Sequence, residues 1–164
     1  MVDMDEVDQI VAAWRRERPD VEVTPLEIFS RLTRLTKHLE RVRKQAFATH
    51  GLELWEWDVL SALRRSGEPY ELSPGHLVAA TMVTSGTMTN RVDRLVERGL
   101  VQRRPAPSDR RGVLVRLTAD GRARVDGALD TLLGLESAIL ENLPAADRDH
   151  VAQALRTLTA HFNG

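Results

Sequence analysis

Residues 84–117 read TSGTMTNRVDRLVERGLVQRRPAPSDRRGVLVRL, and a change of period inside this stretch decides the fold. Behind Thr84, a residue type that caps helices, Met88, Val92, Leu95 and Val96 recur at helical spacing, and Gly99 stands where a helix would stop. Beyond Gly99 the pattern turns β-prone. Residues 100–104 (LVQRR) and 113–117 (VLVRL) flank the turn-forming stretch PAPSDRRG, which predicts a hairpin with a basic tip. The predicted helix carries small polar residues outward: Thr87, Asn90 and Arg94 follow one another at i, i+3 and i+7, with Ser85 and Thr89 beside them.

Upstream, Trp55, Val59, Ala62 and Leu63 define a helix that stops at Gly67, and Ser73-Pro74 opens another running to about Met82. Two short helices joined by a tight turn, with a basic hairpin behind the second, make a winged helix-turn-helix. Such a helix enters the major groove, where base edges present a readable pattern of donors and acceptors, while the hairpin tip reaches an adjacent groove or the phosphates. Thr84-Ser85-Gly86-Thr87 suits a helix start that meets a phosphate, because backbone amides favour the anion and short side chains permit close approach. Arg110 and Arg111 at the tip fit minor-groove or phosphate contacts, with Asp109 as an organiser of the turn. A cap followed by a solvated polar face is the other reading of the helix alone. The hairpin tips the balance towards DNA.

Net charge supports this division of labour. The chain carries a formal charge of -1, yet residues 84–116 hold eight arginines against Asp93, Glu97 and Asp109, a local excess of +5 that leaves -6 for the remainder. A basic segment in an otherwise acidic protein is a footprint for a polyanion. With 164 residues, 42% of them hydrophobic, the chain suits one domain with helical extensions. The absence of cysteine excludes disulfides, thiolate metal sites and thiol redox sensing. No run approaches the roughly 20 apolar residues that cross a bilayer, and the acidic start is unlike a secretory leader, so a soluble cytoplasmic protein is expected.

The flanks read as helices. Val7, Ile10, Val11 and Trp14 share a stripe before Pro19; Thr24-Pro25-Leu26-Glu27 predicts a capping box opening a long helix with Ile28, Leu32, Leu35, Leu39 and Val42 on one face. Thr118 begins a helix carrying Val125, Leu129, Leu132, Leu133, Ile139 and Leu140, and Pro144 begins the last, with Val151, Leu155, Leu158 and Phe162. These apolar stripes lie outside a winged-helix core and call for a partner surface, so a homodimer is expected. The organisation is N-terminal helices over residues 1–50, a DNA-binding domain over 51–117 and C-terminal dimerisation helices over 118–164: mainly α with a small β-hairpin wing.

Trp57-Asp58-Val59-Leu60, Asn90-Arg91-Val92-Asp93-Arg94-Leu95, Arg98-Gly99-Leu100-Val101, Ser108-Asp109-Arg110-Arg111 and Leu117-Thr118 together resemble the MarR family of bacterial transcription regulators, over roughly residues 28–160. The resemblance implies a winged-helix fold, a dimer and a palindromic operator. Helical spacing also places Asp58 and Arg91 on the apolar stripes of their helices, where a charge needs a partner or a ligand. They could form a structural bridge with each other. Alternatively, Trp14, Asp58, Arg91 and Arg103 are similar to the ligand set of the urate-responsive subgroup of the family. That resemblance implies a repressor released by urate or a related purine anion, since two arginine forks and an aromatic wall suit a planar oxopurine anion. A phenolic or drug-like aromatic anion is the alternative effector, and an effector-free architectural DNA binder a further one. An enzyme using Asp58 and Arg91 is the remote rival. The five histidines fall on different predicted elements, with neither a zinc-protease spacing nor a phosphate-binding glycine loop, and no cofactor or metal is expected.

Overall fold

The computed structural model describes residues 4–107 and 109–162, and for residues 109–111 the backbone only. Its elements, in chain order, are α1 (Glu6–Glu17), α2 (Pro25–Ala48), α3 (Leu54–Arg65), β1 (Glu71–Leu72), α4 (Pro74–Thr81), α5 (Ser85–Glu97), β2 (Val101–Ala106), β3 (Asp109–Leu117), α6 (Ala119–Leu140) and α7 (Ala145–Ala160). They form two compact units, Met1–Arg43 and Lys44–Gly164, with the division inside α2.

In the N-terminal unit, α1 starts from a capping box. The Asp5 carboxylate accepts from the Val7 and Asp8 amides at 2.8 and 3.0 Å, and Asp8 accepts the Asp5 amide at 2.9 Å. Val7 and Val11 are buried with Val23, and Leu26 packs against them. Around this small core run ion pairs: Arg31 binds Asp5 at 2.8 Å and Asp8 at 2.7 Å, Arg34 binds Glu6 at 3.1 Å, and Arg15 binds Glu27 at 2.6 Å. Arg31 and Arg34 hold the Asp5 and Glu6 carboxyls below their ordinary range. The capping box expected at Thr24 is replaced by a nearer partner. The Thr24 amide and hydroxyl both donate to Glu22, at 2.8 and 2.5 Å, while Glu27 turns to Arg15.

The C-terminal unit has one core, in which the Phe47 and Trp57 rings stack at 4.4 Å and α3 contributes Val59, Leu60 and Leu63. Ser73 caps α4 and Thr84 caps α5, whose stripe Met88, Val92 and Leu95 is buried; Val96, expected on that stripe, is 36% exposed at its edge. The helix ends at Gly99, whose φ of +70° a side chain would strain. Strands β2 and β3 pair antiparallel in one register from Val101 opposite Leu117 to Pro105 opposite Val113, and the register then shifts before Ala106 opposite Asp109, so pairing reaches farther towards the tip than composition implied. The reason is that Pro105, which cannot donate, lies on the sheet edge, in the order β1-β3-β2. β1, two residues long, lay below the reach of periodicity and pairs with β3.

Thr118 caps α6, and Gly121 lets that helix start directly on the wing: a Cβ there would lie 2.1 Å from the Leu100 carbonyl oxygen. Val125, Ala128 and Leu132 of α6 join the core, while Leu129, Leu133, Ile139 and Leu140 stay exposed. α7 contains no buried residue, and Val151 and Leu155 lie open on it. The N-terminal unit likewise leaves Ile28, Phe29 and Leu35 about half exposed.

Candidate nucleic-acid interface and ligand site

α3, α4 and α5 form the helix-turn-helix, each packed against the other two, and β2 packs on α5. The turn passes through Met82, which takes a left-handed conformation (φ 53°) at the end of α4 and stands clear of the protein. A buried polar knot holds α5 to α3. The Glu56 carboxylate is 1% exposed; one oxygen accepts the Glu53 amide at 2.9 Å and the other accepts Arg98 Nη1. Arg98 Nη2 also donates to the Gly51 carbonyl at 2.7 Å. Sequence spacing singled out Asp58 as the inward carboxylate, but Asp58 is exposed and Glu56 is buried in its place. Residues two apart on a helix lie about 200° around its axis, so the face that buries Glu56 turns Asp58 outward. The signal available was an acidic residue three positions after another at a helix start.

Along α5, Thr84, Ser85, Thr87, Thr89, Asn90 and Arg94 are all exposed, as a reading face requires. Two hydroxyls are already committed as donors: Thr84 Oγ1 donates to Thr87 Oγ1 at 2.9 Å while accepting the Thr87 amide, and Thr89 Oγ1 donates to the Ser85 carbonyl at 3.0 Å. Asn90 and Arg94 are therefore the long polar side chains on this face available to donate to base edges. Asp109, Arg110 and Arg111 belong to β3, but their side chains lie outside the described residues, as does Ser108.

Of the expected ligand set, the residues of this unit make no described ion pair or hydrogen bond with one another. Arg91 is half-buried, and its Nη1 is buried with no hydrogen-bond partner among the described residues. Its guanidinium carbon lies 5.7 Å from the centre of the Trp55 ring, and that of Arg94 lies 4.7 Å from the same ring. An Asp58–Arg91 bridge does not form in this conformation; the described interaction of Asp58 is its carbonyl accepting from Ser61 at 3.3 Å. Arg103 pairs instead with Asp93, at 2.6 Å, across from β2 to α5. Trp14 lies on α1 of the N-terminal unit, 48% exposed. Trp55, which spacing treated as plain core, is the residue that sequence reasoning missed here.

Among the described residues, no cluster of His, Cys, Asp or Glu is arranged to hold a metal, and no helix is long and apolar enough to cross a membrane. The model of the MarR family matches residues 50–112. The chain is 35% identical over 157 residues to the HTH-type transcriptional regulator PecS of Dickeya dadantii, covering 96% of this chain and 95% of that protein. Its fold is similar to a mutant MarR from E. coli complexed with operator DNA, with a TM-score of 0.69, 26% identity and coverage of 84% of this chain and 99% of that one. It is also similar to BpsR of Bordetella bronchiseptica, a structure that concerns regulation of DNA binding by 6-hydroxynicotinic acid, with a TM-score of 0.67, 29% identity and coverage of 80% and 92%. The chain spans its relative PecS almost end to end and shares the winged-helix fold of these structures: the protein belongs to the MarR family of winged-helix transcriptional regulators and is not an enzyme.

Proposed function

We propose that the protein is a cytoplasmic, ligand-responsive repressor that binds a palindromic operator as a homodimer and is released by an anionic aromatic ligand, urate or a related purine anion. The observation that carries the ligand half is the buried, unpartnered Nη1 of Arg91 on the DNA-reading helix. A buried N–H of a cation without an acceptor is costly, and an anionic oxygen would satisfy it. Asp58 and Arg103 complete the set by rearrangement, Arg103 giving up Asp93 for the ligand, while Trp14 enters through the family resemblance alone.

Asn90 and Arg94 read base edges, Thr87 and Ser85 lie beside them, and the amides following Thr84 meet a phosphate, with Thr89 bracing the first turn. Arg110 and Arg111 contact the minor groove or phosphates from the wing, organised by Asp109. A second copy of the chain covers the apolar side chains left open in each unit, as residues 118–164 were expected to do, and a two-fold axis would set two reading helices about 34 Å apart. A different aromatic acid is the second reading. It is favoured by the exposed position of Asp58 and by the likeness to BpsR, whose structure concerns 6-hydroxynicotinic acid.

A gel shift with the upstream intergenic DNA, with urate, salicylate and 6-hydroxynicotinate added separately, tests both. Release by urate that disappears in Arg91→Ala is the expected result. Release by another acid alone selects the second reading, and absence of any shifted band at modest salt overturns DNA binding at this site.

A further inference from the structure

Trp55 stands at the partly buried start of α3 and packs against the core through part of its surface. Its indole N–H donates to the Glu53 carboxylate, which fixes the ring plane. Two guanidiniums of α5 then meet this one ring: Arg94 at 4.7 Å from its centre and Arg91 at 5.7 Å. Residues 91 and 94 are neighbours on the helix face (i, i+3), so their side chains share a surface, and a cation within about 6 Å of an indole is held by the ring quadrupole. Arg91 has no hydrogen bond at Nη1. The ring is therefore its described polar partner, and the same ring aims the arginine that faces outward.

We propose that the Trp55 indole is a positioning platform that couples the pose of the base-reading Arg94 to the occupancy of Arg91. This rests on the functional reading above, in which Arg94 meets DNA and Arg91 the effector anion. In the free protein both guanidiniums lean on the ring. An anion that binds Arg91 Nη1 draws that guanidinium off its present position, and the vacated part of the ring lets Arg94 settle differently. A pose of Arg94 committed to a base edge correspondingly disfavours the rearranged Arg91. Linkage requires the two effects to be equal in size.

The experiment is a double-mutant cycle on operator affinity, measured by fluorescence anisotropy, using Trp55→Ala, Trp55→Phe, Arg94→Ala and the combination of Trp55→Ala with Arg94→Ala. Urate serves as the probe ligand, and thermal melts check folding. Trp55→Ala is expected to weaken operator binding about 3- to 10-fold, as removal of a cation–ring interaction predicts, and to add nothing once Arg94 is alanine. Trp55→Phe keeps an aromatic face and should retain most of the affinity while remaining folded if the alanine variant is not. In the parent, urate weakens operator binding; in Trp55→Ala that weakening should shrink at least 3-fold.

Additive effects of the Trp55 and Arg94 substitutions, or an unaltered urate response in Trp55→Ala, overturn the coupling while leaving DNA binding intact. If the parent binds operator but ignores urate, the urate reading fails and the cycle with Arg94 alone decides the positioning role. If the parent binds no operator, both fall together.

Discussion

Removal of Arg98 should loosen α5 from α3. The Glu56 carboxylate is 1% exposed and rests on two supports, the Arg98 guanidinium and the Glu53 amide. In Arg98→Ala the amide bond remains, but the negative charge loses its counter-ion and the Gly51 carbonyl loses its donor. Breaking a wholly buried ion pair from one side costs about 3–5 kcal/mol. The Arg98 side chain is 38% exposed, so water reaches part of the gap. The cost is then expected at about 2–3 kcal/mol, a fall in melting temperature of roughly 5–10 °C for a chain of this size. Urea denaturation followed by far-UV circular dichroism, at one protein concentration, measures it directly. The combination of Glu56→Gln with Arg98→Ala buries a neutral amide instead of a charge and should recover about 1 kcal/mol relative to Arg98→Ala alone. An Arg98→Ala protein within about 0.5 kcal/mol of the parent, or a double variant no better than the single, would refute the view that this charge pair clamps α5 to α3.

Three further outcomes are expected elsewhere in the molecule. Gly121→Ala should cost about 2 kcal/mol or more, because its Cβ would lie 2.1 Å from the Leu100 carbonyl oxygen and the start of α6 must move off the wing; a thermal melt equal to the parent's contradicts this. Asp5 and Glu6 are held below their ordinary values, 3.8 and 4.5, first by hydrogen bonds from Arg31 and Arg34. Their contribution to α1 is thus fully present above those ordinary values and lost as pH falls through the lowered ones, so amide protection factors in residues 6–17, corrected for the intrinsic pH dependence of exchange, should fall below about pH 4, and protection factors unchanged between pH 6 and pH 3 would contradict it. Replacing Arg110 and Arg111 together by alanine should flatten the salt dependence of operator binding by about 0.9 in log–log slope for each phosphate no longer neutralised, and an unchanged slope removes the wing arginines from the phosphates.

Much of the site was legible because it is local. Thr84, Met88, Val92 and Leu95 announce a capped helix with one buried face, so Asn90 and Arg94 had to point away from it. The inward lean of Arg91 followed from the same count and is present as a half-buried side chain with an unsatisfied Nη1. Asp58 failed that count. The face of its helix that buries Glu56 lies about 200° around the axis from Asp58, which therefore stands at the surface. Arg103 likewise took the nearest carboxylate across the α5–β2 corner, Asp93, a partner set by packing and invisible to spacing.

The amino-acid order by itself determined the winged helix, the basic segment within an acidic chain and the polar face of α5, since periodicity, caps and turn residues act over a few neighbouring positions. Only the tertiary structure decided which charged groups meet. The Glu56–Arg98 knot joins residues 42 positions apart, and the Trp55 ring receives Arg91 and Arg94 from another helix. The physical reason is that a local pattern states which face a side chain occupies, whereas the partner waiting there is chosen by how separate elements fill the core between them.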